Sequence, residues 1–279
     1  MYNIKVYTYP DLSKQVKLYK VPVKFGYDEP KAEKEVKRKG VEHNPFDGNR
    51  VKDFECEADL KEIDRYMTSN ANRSKNKIYQ YAKSNEWEWF TTFTFDKGKV
   101  DRFDYSACVK ALSKWLNNMR VHSPTLAYLI VPERHKDGAF HFHGLFSGCD
   151  GLRVKYTGKT VVQRYMVDGK RRYRKTKDKI YIFERYKFGY MTATAVKDNA
   201  RVTKYITKYV TKDLMSATFG KKRYWASRNL LLPNEEIELM EPSHLMVMKS
   251  ELLEDSAYHK HIDVSQYTNQ EIDIFELSE

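Results

Sequence analysis

The 279 residues include only three cysteines, Cys56, Cys108 and Cys149, in no zinc or redox spacing. So sparse and odd a set excludes a disulfide framework and points to a reducing cytoplasm. Glycine (12) and proline (8) are also scarce, which excludes a collagen-like or low-complexity chain. No run of about 18 apolar residues occurs, so neither a membrane-spanning helix nor a membrane partner is expected. The start, Met1-Tyr2-Asn3-Ile4-Lys5-Val6, alternates like a strand and lacks the apolar core of a signal peptide.

Acidic residues are outnumbered, with 38 Asp+Glu against 50 Lys+Arg and a net charge of +12. The imbalance is uneven. Residues 241–279 hold nine acids and two lysines, a local −7, which leaves +19 on residues 1–240. That basic body also carries most of the 21 Tyr, 14 Phe and 4 Trp. Cations for phosphates and rings for bases suggest a nucleic-acid surface. With 41% hydrophobic residues the composition is globular.

Three segments are expected: residues 1–70, N-terminal strands and a variable linker with a short helix near 58–67; residues 71–232, the main domain; and residues 233–279, an acidic tail. Within the main domain, residues 70–86 read as a basic helical approach. Trp89–Phe95 is aromatic and Thr-rich and reads as a strand. Tyr105, Cys108, Leu112, Trp115, Leu116 and Met119 lie at helical spacing. Residues 126–134 and 139–146 read as strands joined in a hairpin. Residues 151–185 carry twelve Lys/Arg and three Asp/Glu, with turn signals at Thr157-Gly158 and Asp168-Gly169, and read as a basic β-ribbon insertion. A strand over 189–196 and a helix over 199–214 complete the pattern. The order β-α-β-β-ribbon-β-α implies an α+β fold, an antiparallel sheet with helices on one face.

Two constellations could carry chemistry. In His141-Phe142-His143 the imidazoles project from one face of a strand whose other face is apolar. Mg²⁺ or Mn²⁺ would also need oxygen ligands. If the hairpin loop is Lys136-Asp137-Gly138, with Gly138 left-handed, Glu133 pairs opposite His141 and shares that face. A two-residue Asp137-Gly138 turn would put Arg134 there instead. The second His-x-His, His259 and His261, lies in the acidic tail and reads as solvated.

The other constellation is Tyr-x-x-Lys twice, Tyr205 with Lys208 and Tyr209 with Lys212. On a helix the tyrosines are stacked neighbours with both lysines on the same side, and Val202, Ile206 and Val210 form an adjacent docking stripe. Packing tyrosines on a basic helix are the plainer reading. Gly158-Lys159-Thr160 imitates the end of a phosphate-binding loop, but position 153 is Arg where that loop needs Gly, so ATP binding is not expected.

Taken in order, Trp89–Phe95, then Glu133 with His141-Phe142-His143, then Tyr205 to Lys212 resemble the three motifs of the HUH endonucleases. The tandem tyrosines are similar to the two-tyrosine rolling-circle replication initiators of plasmids and single-stranded DNA phages. The resemblance covers about residues 70–230. It implies an RRM-like antiparallel sheet, Mg²⁺ or Mn²⁺ on His141, His143 and Glu133, and nucleophilic Tyr205 and Tyr209 assisted by Lys208 and Lys212. It also implies nicking and joining of single-stranded or hairpin origin DNA through a 5′-phosphotyrosine, with host polymerase and helicase as partners in a bacterial cytoplasm. Lys170, Arg171, Arg172, Arg174 and Lys175 of the ribbon are candidates for gripping flanking duplex. The acidic tail is a helicase dock or a soluble end. A relaxase or two-tyrosine transposase, or a non-catalytic nucleic-acid-binding protein, are the alternatives.

Overall fold

The computed structural model describes residues 1–24, 57–218, 220–264 and 269–278, without the side chains of residues 57–67, Lys212 and Met215. The chain forms two compact units, Met1–His43 with Leu231–Glu279, and Asn44–Leu230.

The first unit joins the two ends of the chain. Strands β1 (Tyr2–Thr8) and β2 (Lys14–Val23) form the expected N-terminal hairpin. Beyond Leu231 come β10 (Asn234–Glu238), a helix, α5 (Pro242–Asp255), β11 (Tyr258–Asp263) and β12 (Glu271–Leu277). All five strands share one antiparallel sheet, in the order β10-β1-β2-β12-β11. Ile4, Val16, Leu18, Leu252 and Phe275 are its buried core. The acidic segment is therefore a folded half of a sheet rather than a loose end. Its pairing was not legible locally, because Phe275 faces Val16 across more than 250 residues of chain.

The second unit is built on seven antiparallel strands. They are β3 (Trp89–Phe95), β4 (Ala127–Arg134), β5 (Phe140–Ser147), β6 (Val154–Val167), β7 (Lys170–Phe183), β8 (Gly189–Ala195) and the short β9 (Trp225–Ala226). Their order is β6-β7-β8-β3-β5-β4-β9, with β5 and β3 central. The α+β class and antiparallel sheet are as the strand pattern implied.

Helix α2 (Tyr105–His122) covers one face. Asp104 caps it by accepting from the Ser106 amide, and Cys108, Leu112, Trp115, Leu116 and Met119 are buried. They pack on Phe93, Phe95, Phe140, Phe142 and Phe146. The other face carries a smaller cluster, in which Leu129, Val131 and Leu145 meet Ile78 and Ala82 of α1 (Glu57–Lys83) and Ile206 of α3 (Asn199–Thr207). The structure thus adds helices to the second face as well. It also replaces the expected short helix and basic approach with one continuous α1. Cys108 and Cys149 are free and buried, and burial pushes the Cys108 thiol up to about 12, out of reactive range. Cys56 lies outside the described residues.

The β4–β5 register follows from the loop. His135 N–H donates to the Ala139 carbonyl, Gly138 sits at φ +88°, and Glu133 pairs with His141. Phe142 on the opposite face is fully buried, worth about 1.5–3 kcal/mol. A one-residue slip would drive both histidines into that core and expose the phenylalanines, so the aromatic face fixes where the imidazoles point.

The ribbon insertion also forms as expected, but only one of its two turn signals is the tip. Asp168 (φ +48°) and Gly169 (φ +71°) make the turn between β6 and β7. Thr157-Gly158 instead lies within β6, at a register shift between Tyr156 and Thr160. No helix follows Gly158-Lys159-Thr160, consistent with its rejection as a phosphate loop.

Candidate active site

Strand β3 places Thr92 opposite His143 and Thr94 opposite His141. Their hydroxyls are hydrogen-bonded to the Nδ1 atoms, at 3.1 Å for Thr92–His143 and 3.2 Å for Thr94–His141. Each contact fixes its ring and leaves Nε2 facing outward. His143 Nε2 is 2.7 Å from the Glu133 carboxylate. That hydrogen bond holds the Glu133 carboxyl below its ordinary value, against partial burial. Burial, then the nearby His135 and His143, lower the pKa of His141 and keep it neutral. The threonines were missed as site residues, although their alternation in Trp89–Phe95 was the available signal.

The helix expected over 199–214 is broken. Asp198 caps α3 by accepting from the Arg201 amide, and α3 ends at Thr207. Thr211 turns extended and caps α4 (Lys212–Ala217) through the Leu214 amide. A side-chain cap at Thr211 competes with continued helix, so Tyr209 falls in the connection rather than on α3. The Val202, Ile206 and Val210 stripe nevertheless docks on the sheet as its spacing suggested, with Ile206 and Val210 fully buried.

The two tyrosines remain neighbours, with ring centroids 5.4 Å apart. Their environments differ. Tyr209 is 7% exposed and stacks on His143, while Tyr205 is 42% exposed and packs edge-on against Phe90. The Lys208 ammonium sits 3.3 Å above the Tyr205 ring and 5.5 Å from that of Tyr209. Burial, then a hydrogen bond with Tyr205, raises the Tyr209 pKa far above the ordinary phenol value. The side chain of Lys212 lies outside the described residues.

Glu133, His141, His143, Tyr205, Lys208 and Tyr209 are therefore brought to one face of the sheet. Two imidazole nitrogens and a carboxylate suit a divalent metal in kind, and the threonine contacts orient them as outer partners do. Among the described residues, however, no three His, Cys, Asp or Glu side chains are gathered closely enough to hold an ion as they stand.

The ribbon residues Lys170, Arg171, Arg172, Arg174 and Lys175 are exposed on β7, apart from this constellation. β7 pairs with β8 at Tyr181 and Ala193. The outer ribbon pairs with itself, from Val162↔Lys175 to Val167↔Lys170. His259 and His261, expected to be solvated, instead both hydrogen-bond to buried Asp273 at 2.9 Å. No described helix is long and apolar enough to cross a membrane.

Neither the curated proteins nor the solved structures contain a match to the chain. Residues 88–214 hold the strands, both histidines, Glu133 and both tyrosines, and they match the model of the Replication-associated protein ORF2 family, a family of rolling-circle replication initiators.

Proposed function

We propose that the chain starts replication by nicking and rejoining single-stranded origin DNA through a tyrosine nucleophile, as HUH endonucleases do. The observation that carries this reading is the contact series Glu133–His143–Tyr209–Tyr205–Lys208, which puts two phenols and a cation beside a carboxylate–imidazole pair.

A tyrosine oxygen attacks the scissile phosphorus, forming an O–P bond as the bond to the 3′ oxygen breaks. The phenol proton passes to solvent, and the departing 3′ oxygen takes one up. The strand is left with a 5′-phosphotyrosine and a free 3′-OH primer. A phosphoester is exchanged rather than hydrolysed, so the reverse attack rejoins strands. Lys208 stabilises the charge that develops on phosphate and phenolate. Lys212, at the start of α4, is proposed for the same duty beside Tyr209.

His141, His143 and Glu133 would hold Mg²⁺ or Mn²⁺, which when bound would polarise the phosphate oxygens. Thr92 and Thr94 keep the imidazoles turned with Nε2 outward. Lys170, Arg171, Arg172, Arg174 and Lys175 would bind duplex beside the cut. Host polymerase would extend the 3′-OH, with a host helicase opening the template.

The test incubates the protein with single-stranded DNA of its encoding replicon, with Mn²⁺ and then with EDTA. A denaturing gel and peptide mapping then look for a covalent adduct. A metal-dependent adduct on Tyr205 or Tyr209 is expected. Folded protein that binds this DNA and forms no adduct would overturn the proposal.

A further inference from the structure

The outer ribbon has six rungs, at about 3.3 Å each, and no layer packed on either side to hold it. A two-stranded hairpin in water is marginal by itself. Cross-strand partners share a face, so Arg164, Arg171 and Lys175 lie on one side and Lys170, Arg172 and Arg174 on the other. A ribbon lying flat on nucleic acid needs cations on one face only. Cations on both faces suit a ribbon standing in a duplex groove, between two rails of phosphate.

The tip does not look like a solvated turn. Beside Asp168-Gly169, Met166 is 60% exposed and Val167 is exposed too. Tyr173 is 64% exposed two rungs back. Such side chains cost solubility unless covered, and a purely electrostatic arm has no use for them. Apolar side chains carried into a groove between cations can wedge between base pairs and unstack them.

We propose that the ribbon is a strand-opening device: its cations seat it in duplex DNA, and Met166 and Val167 enter a base step and unstack it. The tip would thereby create single-stranded DNA beside the site that the tyrosines cut. The proposal rests on the origin-nicking reading only for the choice of DNA.

The test uses the full chain and duplex from the encoding replicon's origin region. 2-Aminopurine is stepped through the segment that the protein footprints, and fluorescence is read at saturating protein. At one step a rise of about twofold or more is expected as stacking is lost. In the double variant Met166→Ser with Val167→Ser, the signal should return to that of free duplex. Its footprint and salt dependence should be retained, as should its cleavage of single-stranded DNA. A volume-conserving variant, Met166→Leu with Val167→Ile, should keep the rise. No rise with bound wild-type protein, or an undiminished rise in the serine variant, would overturn the wedge. The two proposals fail separately: an adduct on single-stranded DNA without unstacking removes the wedge alone, and unstacking without any adduct removes the nicking reading alone.

Discussion

The Tyr209 ring lies flat on His143, with centroids 3.7 Å apart and planes 8° from parallel. Tyr205, one contact further out, is open to solvent beneath the Lys208 ammonium. A phosphate arriving from solvent can reach Tyr205 and Lys208 with no side chain moving, whereas Tyr209 must first leave its stack. Tyr205 is therefore expected to cut first. Peptide mapping of the earliest adduct on single-stranded DNA should find Tyr205. Tyr205→Phe should slow that first adduct by at least about tenfold, or 1.4 kcal/mol. Tyr209→Phe should leave the first nick intact and block only a second. An earliest adduct on Tyr209 would reverse the assignment.

The imidazole pair should matter for cleavage and little for affinity. His141→Ala, His143→Ala and Glu133→Gln are each expected to lower cleavage by about 100-fold or more, the cost of losing one preorganised electrostatic contact. Affinity for single-stranded DNA should stay within about threefold, because phosphate contacts by lysine and arginine dominate it. Circular dichroism and a binding isotherm on each variant separate this from misfolding. Wild-type cleavage in all three would remove these residues from the chemistry.

Much of this site was legible because it depends on local periodicity. Phenylalanines alternating with His141 and His143 give the face, and a three-residue loop ending in left-handed Gly138 gives the register that puts Glu133 opposite His141. What escaped depends on competition or on distance. The helix break before α4 turns on whether Thr211 continues a helix or caps the next one, and helical spacing is silent on that choice. His259 and His261 read as solvated because their partner, Asp273, arrives from a different strand. β12 in turn reaches its place by pairing with β2, near the opposite end of the chain. Such long-range pairing leaves no periodic trace.

Gly138 can be tested directly. A Cβ there would meet nothing closer than Phe103 at 3.7 Å, so space is not the obstacle, but φ is +88°. Gly138→Ala should cost about 1–2 kcal/mol, from the left-handed backbone alone. Chemical denaturation should show this as a lower midpoint with an unchanged slope. A neutral substitution would mean the loop can change conformation without shifting the hairpin register.

Acid should weaken the first unit through Asp273. Burial opposes its charge, yet hydrogen bonds from Lys249, His259 and His261 hold its carboxyl below the ordinary value of 3.8. A depressed folded pKa contributes stability that is fully present above the unfolded value and lost as pH falls through the folded one. The loss attributable to Asp273 is therefore expected below about pH 4. Asp273→Asn should be destabilising near neutrality by about 1–3 kcal/mol. It should also flatten the acid limb of a melting-temperature profile between about pH 4 and 2. An acid limb as steep as that of the parent protein would show that other carboxylates govern it.

The salt dependence of duplex binding measures whether the ribbon touches DNA at all. Each lysine or arginine that neutralises a phosphate releases counterions and adds about 0.9 to the slope of log K against log salt. Lys170, Arg171, Arg172, Arg174 and Lys175 are exposed and spread over both faces of the ribbon. If all five sit on phosphates, replacing them with glutamine should lower the slope by about 4 to 5. If the ribbon lies flat, only one face contributes. Replacing Arg171 and Lys175 should then differ sharply from replacing Lys170, Arg172 and Arg174. Equal losses per residue from the two sets are expected, because a ribbon standing in a groove presents each face to its own strand. A slope unchanged by all five replacements would take the ribbon out of the DNA interface, and with it the route by which Met166 and Val167 could reach a base step.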